Sequence, residues 1–193
     1  MPHDPIPGIA ARGEALLDGQ LSYRGDSVSI MTLDPGRTAM TRPLVTYFQT
    51  FAWLRDLAAA APRAQGAPVA ELLMAKWLDA HAETVSGDAW RPDLWGRRIL
   101  YWASHAPLIL SSHDLVYRSS VLNALGRGAR HLDRGADKAP PGPQRVAAWC
   151  GVVAAGLLIP GDDPRRSFGE AGLAKALAAV SYTHLTLPTI LRV

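Results

Sequence analysis

A period of two governs the start of this chain, and a period of three to four governs most of the rest. In QLSYRGDSVSIM, Leu21 and Tyr23 alternate on one arm and Val28 and Ile30 on the other, with Arg24-Gly25-Asp26 between them. This is the signature of a β-hairpin. The residues before it, Met1 to Arg12, are Pro-rich and read as extended, and Ala11 to Gly19 as a short helix. Pro35-Gly36 and Pro43 mark a loop, and the helical period begins at Val45. Tyr47, Phe48, Phe51, Leu54 and Leu57 recur at helical spacing, which predicts one continuous helix as far as Pro62. Gly66-Ala67-Pro68 extends the break. Val69 to Glu83 then places Leu72, Leu73, Lys76, Trp77 and Ala80 for one face.

Pro92 opens the next helix, PDLWGRRILYWASHA, in the first-turn position that proline favours, and Pro107 ends or kinks it. Ser112 or His113 is the expected cap of a helix reaching about Asp133. DKAPPGP is a loop, Pro143 to Leu158 is the fifth helix, and Ser167 to Ala179 is the sixth. Short Pro/Gly connections make such neighbours antiparallel. No fixed-period repeat is present, which disfavours tetratricopeptide or ankyrin arrays. The expected fold is all-α, a layered array of antiparallel helical hairpins with a small N-terminal β-hairpin. The expected division is residues 1–44 as an extended and hairpin segment, 45–179 as the helical domain, and 180–193 as a foreign tail.

Composition narrows this picture only a little. The 193 residues, 48% hydrophobic and 19% charged, suffice for one domain with a core of its own. No apolar run reaches the ~20 residues that cross a bilayer. AAWCGVVAAGLLIP, Ala147 to Pro160, reads as a buried helix. MPHDPIPGIAARGEA lacks the basic and apolar regions of a signal peptide, although Met1 is open to being an internal start, so the compartment stays undetermined. The lone Cys150 excludes an internal disulfide and reads as a small buried hydrophobe. A net charge of +3 rests on 17 Arg against 3 Lys, spread along the chain. Compositional bias explains that best, and affinity for carboxylate or sulfate groups comes second.

Common catalytic signatures are absent: no P-loop, GxGxxG, HExxH, CxxC or GxSxG occurs, and no two histidines stand at ligand spacing on a helix. No metal or cofactor is expected. The richest run is WGRRILYWASHAPLIL, Trp95 to Leu110. Arg98, Trp102 and His105 fall within two turns of one another, so a guanidinium, an indole and an imidazole at a cleft mouth would suit an anionic sugar ring. The competing reading makes Trp95 and Trp102 core, and for an isolated helix it weighs more. Arg127, Arg130 and Arg134 form a stripe. Nucleic-acid recognition would show a denser basic footprint, so none is expected and a solvated face is preferred.

Four runs together, ARGEALLDGQLSYRGDSV, FAWLRDLAAA, WRPDLWGRRILYWASHAPLIL and VYRSSVLNALGRGARHLDR, resemble in order the N-terminal helical part of bacterial heparinase II/III family proteins of the alphaproteobacterial type. The resemblance covers roughly Pro5 to Ala179, and its most specific part is the WRPD…GRR…W-x-SHAP run. It implies a partial α/α toroid followed by a β-sandwich domain, and a lyase cleaving uronic-acid-containing polysaccharides by β-elimination. That chemistry requires a group that neutralises the uronate, a base and an acid. The resemblance places these beyond this chain, so no catalytic residue is assigned within it. Arg98, Trp102 and His105 remain as substrate-binding candidates. The partners implied are an acidic polysaccharide and the missing sandwich domain. The other reading is a helical interaction module that binds a protein partner or an acidic glycan.

The last stretch, VSYTHLTLPTILRV, changes vocabulary: it has three Thr, a Pro and no Ala. VSYTHLTLPT is encoded codon for codon by GTC TCT TAT ACA CAT CTG ACG CTG CCG ACG, which resembles a transposon-end adapter of short-read sequencing libraries. Val180 to Thr189 is therefore read as translated adapter and Ile190 to Val193 as read-through. On that reading the helices from Pro143 onward should be under-packed, because their later neighbours are missing.

Overall fold

The structure is a computed structural model that describes residues 4–159 and 161–185, with side chains described as far as residue 180. The described residues are mostly helical and carry one small antiparallel sheet. In chain order the elements are α1 (Ala10–Leu17), β1 (Gln20–Tyr23), β2 (Asp26–Ser29), α2 (Arg42–Thr50), α3 (Trp53–Ala60), α4 (Arg63–His81), α5 (Pro92–Ser104), α6 (Ala106–Ile109), α7 (Leu115–Gly135), α8 (Pro143–Leu158) and α9 (Asp163–Leu185). Short 3₁₀ turns at Asp88–Trp90 and Ala136–Lys138 precede α5 and α8.

The hairpin forms where the alternation places it. Arg24 and Gly25 both adopt positive φ, 52° and 84°, the geometry of a two-residue turn whose twist matches the strands. The register pairs Leu21 with Val28 and Tyr23 with Asp26. α1 lies across α3, the hairpin packs beside α1 and α2, and Leu16, Leu21, Ile30 and Leu33 join the same buried cluster as the helices.

The continuous helix expected from Val45 onward is broken. α2 ends at Phe51, which turns into the left-handed region at φ 63° and ψ 23°, and α3 starts two residues later. No glycine or proline marks this point. A left-handed residue with a side chain costs about 1–2 kcal/mol, and full burial of a phenylalanine returns about 1.5–3 kcal/mol. Phe51 is wholly buried, with its ring 5.3 Å from Trp102, 5.7 Å from Trp77 and 5.2 Å from Trp53. Tertiary packing therefore sets the break. The opposite happens at Pro68, where a break is expected and α4 runs through. Proline there forfeits the bond to the Ala64 carbonyl near the helix start, and Gly66 lets Leu57 and Leu108 close over the helix.

Asp114, rather than Ser112 or His113, caps α7: its carboxylate accepts from the amides of Val116 and Tyr117 at 2.8 and 3.1 Å. α8 begins and ends where the proline and the apolar run place it, and it is packed rather than loose. Ala148, Trp149, Val152 and Ala155 are buried, and α8 lies against α5, α7 and α9. Its crossing with α5 runs through two glycines. A methyl group on Gly96 would stand 2.0 Å from the Ala147 carbonyl oxygen, and one on Gly151 would stand 2.5 Å from the Gly96 Cα. α9 shows less burial, with Phe168 and Leu177 about half exposed. Its backbone continues as helix into the first residues of the expected foreign tail, as far as Leu185; Thr186 to Val193 lie outside the described residues. No helix among the described residues is long and apolar enough to cross a membrane.

Gly96→Ala should force α5 and α8 apart and destabilise the protein by about 1–3 kcal/mol, the range of overpacked cores. Urea denaturation followed by circular dichroism measures this, and an unchanged midpoint would show that the helices do not cross so closely.

Candidate functional site: an arginine-lined cleft

The sequence candidates Arg98, Trp102 and His105 do not come together at a cleft mouth. Trp95, Arg98, Ile99 and Trp102 recur at three- and four-residue spacing, so all four fall on the inner face of α5. Arg98 is fully buried. Its Nε and Nη2 donate to the Gln49 carbonyl at 2.9 and 2.7 Å, and Nη2 also donates to Gln49 Oε1 at 3.3 Å and the Ala89 carbonyl at 3.1 Å. The guanidinium lies 4.2 Å from the Trp77 ring centre and 4.4 Å from that of Trp95. Arg98 thus satisfies a carbonyl that the end of α2 leaves without an intrahelical partner.

Trp102 is core, edge-on to Phe51, Trp77 and Trp95. His105 follows α5 and places Nε2 3.3 Å from Asp4 Oδ2. Gln49 completes the buried network by accepting from Trp77 Nε1 at 2.7 Å and donating to His81 Nε2 at 3.1 Å. Burial and the Arg98 charge both lower the His81 pKa, consistent with a neutral ring whose Nε2 accepts the hydrogen bond from Gln49.

The Arg127–Arg134 stripe also divides. Arg127 donates to the carbonyls of Ala82 and Glu83 just past α4 and lies over Trp90, and Arg134 donates to the Arg130 carbonyl. Cys150 is half-buried rather than buried, and burial raises its thiol pKa. Among the described residues, no group of three His, Cys, Asp or Glu side chains stands close enough to hold a metal ion.

A concavity lies on the other side of α5. A cleft of about 610 Å³ opens between the N-terminal strap, α1, the hairpin, α2, α3 and α5. Its floor is built on Asp56. That buried carboxylate accepts from the Ile9 amide and the Tyr47 hydroxyl, each at 2.7 Å, and Arg12 stands 3.7 Å away. Burial, then the Asp56 contact, pushes the Tyr47 phenol far above its ordinary pKa. Tyr23 stacks on Tyr47 with ring centres 4.5 Å apart, and the Arg12 guanidinium lies 4.8 Å from the Tyr23 ring centre.

At one end of the cleft, Arg55 grips Asp4 with two hydrogen bonds, 2.7 and 2.9 Å, and lies 5.0 Å from the Tyr101 ring centre. Burial opposes ionisation of Asp4. The bonds from Arg55, the Ile6 amide and His105 outweigh it and hold the Asp4 pKa below the usual carboxylate value.

Five arginines line this space: Arg12, Arg24, Arg42, Arg55 and Arg97. Arg12 and Arg55 have carboxylates. Arg24 at the hairpin turn, Arg42 at the start of α2 and Arg97 on α5 have no carboxylate partner among the described residues. Five guanidiniums against Asp56 in the lining leave the cleft with net positive charge, which attracts anions. Arg97 and Tyr101 are four residues apart on α5, out of phase with the Trp95–Trp102 stripe, and that phase was legible in the sequence. The convergence of Arg24, Arg42 and Arg97, far apart along the chain, was not.

No family model matches the chain, and no solved structure matches it. The chain is similar to FtsZ-localized protein C of Caulobacter vibrioides (strain NA1000 / CB15N), with 29% identity over 133 residues, 68% of this chain and 23% of that protein. The chain thus spans about a quarter of that relative's length. These findings correct the heparinase II/III assignment and the lyase activity drawn from it. The match is to a protein named for FtsZ, and nothing in it indicates a heparinase. The acidic-polysaccharide partner and the missing β-sandwich entered with that resemblance and have no support here. The physical reason is visible in α5. Within the WRPD…GRR…W-x-SHAP run, Trp90, Trp95, Arg98 and Trp102 are buried, Arg91 pairs with Asp93, and His105 meets Asp4. The buried members of the run specify packing and Arg97 lines the cleft, so the resemblance carries no lyase chemistry.

Two outcomes follow for stability. Arg98→Met should cost about 1–3 kcal/mol, because it leaves the buried Gln49 and Ala89 carbonyls without their donor; an unchanged midpoint in urea denaturation would contradict the capping role. Asp4 has a depressed folded-state pKa, so its contribution is present above its unfolded value near 3.9 and lost as pH falls through the folded value. The stability gap between the parent and Asp4→Asn should therefore be open at neutral pH and close in acid. A gap independent of pH would show that the Asp4 charge is not what holds the strap.

Proposed function

We propose that this chain is a binding domain of a protein that works where FtsZ assembles, and that the arginine-lined cleft holds an anionic partner there. The observation that carries the reading is the set of three guanidiniums, on Arg24, Arg42 and Arg97, that face one cleft and have no ion-pair partner among the described residues. The relative's name supplies the setting. Inside the cleft, the acid–base groups are committed to structure: Asp56 is taken up by the Ile9 amide and Tyr47, and the Tyr47 proton is held by Asp56. What is left over is positive charge beside tyrosine rings, which suits recognition. For the architecture we propose a curved layer of helical hairpins, the beginning of an α/α toroid; the sequential packing of α7, α8 and α9 supports it.

Co-sedimentation with FtsZ polymers tests the functional reading. The purified 193-residue chain should pellet with polymerised FtsZ and not with unpolymerised FtsZ, and added salt should release it. A chain that stays in the supernatant at low salt contradicts the proposal.

A further inference from the structure

We infer that the ligand of the cleft is an extended acidic peptide segment that also carries aliphatic side chains, an inference that rests on the binding-domain reading above. Three features of the surface lead to it.

The first is length. The cleft does not end at its own walls. A second hollow of about 510 Å³ shares Ile6, Arg55, Arg97 and Tyr101 with it. A third, of about 680 Å³, continues past Asp4 to His105 and Pro107. The joined groove follows the N-terminal strap, far longer than a single phosphate or carboxylate would fill.

The second is the order of chemistry along the groove. Arg24 and Arg42 belong to the first hollow alone, Arg97 belongs to the first and second, and neither Arg24, Arg42 nor Arg97 lines the third. Along the same path the walls become apolar, through Pro5, Ile6, Leu100, Ala58 and Ala59. Ile6 is 56% exposed and Leu100 40% exposed, so aliphatic surface stands open to a ligand beside the charges. A nucleic acid or a polysulfated chain would want cations along its full length. A segment with carboxylates at one end and aliphatic groups at the other matches both halves.

The third is rigidity. Neighbouring walls are fixed by bonds that do not involve the three surplus guanidiniums: Asp4 with Arg55, Asp56 with Tyr47 and the Ile9 amide, and Tyr23 stacked on Tyr47. A preformed groove spares the ligand the cost of ordering its receptor.

Fluorescence anisotropy of the whole chain with a labelled Asp/Glu-rich peptide carrying leucines tests the inference. The peptide should bind. Arg42→Glu/Arg97→Glu should weaken it at least about tenfold, the worth of one charge-assisted hydrogen bond. Arg97→Gln should act in the same direction, and thermal melts of these variants should match the parent. Replacing the peptide's leucines by serine, or Ile6→Asp in the protein, should also weaken binding.

The inference is overturned if the peptide does not bind, if the arginine variants bind it unchanged, or if the leucine-free peptide or inorganic polyphosphate binds as tightly. FtsZ pelleting in parallel separates the two claims. Pelleting that persists in Arg42→Glu/Arg97→Glu overturns the groove while leaving the FtsZ reading. Peptide binding without pelleting overturns the FtsZ reading alone.

Discussion

A single buried arginine orders this molecule. Arg98 carries a full charge into the core with no carboxylate beside it, and desolvating such a group costs several kcal/mol unless other partners replace water. Here the partners are two main-chain carbonyls, Gln49 and Ala89, the Gln49 side chain, and the faces of Trp77 and Trp95. Carbonyls at the end of a helix carry excess negative partial charge, and indole faces attract cations by about 2 kcal/mol or more when desolvated. These partners take up Nε and Nη2, while Nη1 is buried with only ring faces around it; they are in place because α2 stops where it does, and α2 stops there because Phe51 turns left-handed to reach the same aromatic cluster.

The consequence reaches the surface. α2 carries Arg42 and Tyr47, and α5 carries Arg98 inward and Arg97 outward on consecutive residues. Fixing the end of α2 to the inner face of α5 therefore fixes two walls of the cleft with one set of bonds. The N-terminal strap is tied separately, by Asp4 to Arg55 and by the Ile9 amide to Asp56. Neighbouring guanidiniums thus divide into those spent on the fold and those left facing solvent.

Much of the fold was legible along the chain. The hairpin followed from alternation around Arg24-Gly25, and α8 ran from Pro143 to Leu158 as its apolar run required. The break at Phe51 was not legible, because no local signal marks it and its cause is contact with Trp77 and Trp102, remote in sequence. The continuity of α4 through Pro68 was hidden for a related reason, since packing around Gly66 outweighs one lost hydrogen bond. The site was less legible than the fold. Arg98 drew notice as a charged residue among aromatics, and its i+3 and i−4 relation to Trp95 and Trp102 already put it on the core face. The family resemblance failed in the same run: its tryptophans and Arg98 are packing, while its Arg97 faces the cleft.

The central claim is that Arg98 belongs to the fold while Arg24, Arg42 and Arg97 remain available. Hydrogen exchange of the arginine Nε–H groups, read by nitrogen-edited NMR on the intact chain, tests it directly. The account predicts that the Arg98 Nε–H, donated to the Gln49 carbonyl at 2.9 Å, exchanges slowly, while those of Arg24, Arg42 and Arg97 exchange at the rate of free arginine. Fast exchange at Arg98, or protection at Arg42 and Arg97 to the same degree as at Arg98, would contradict it.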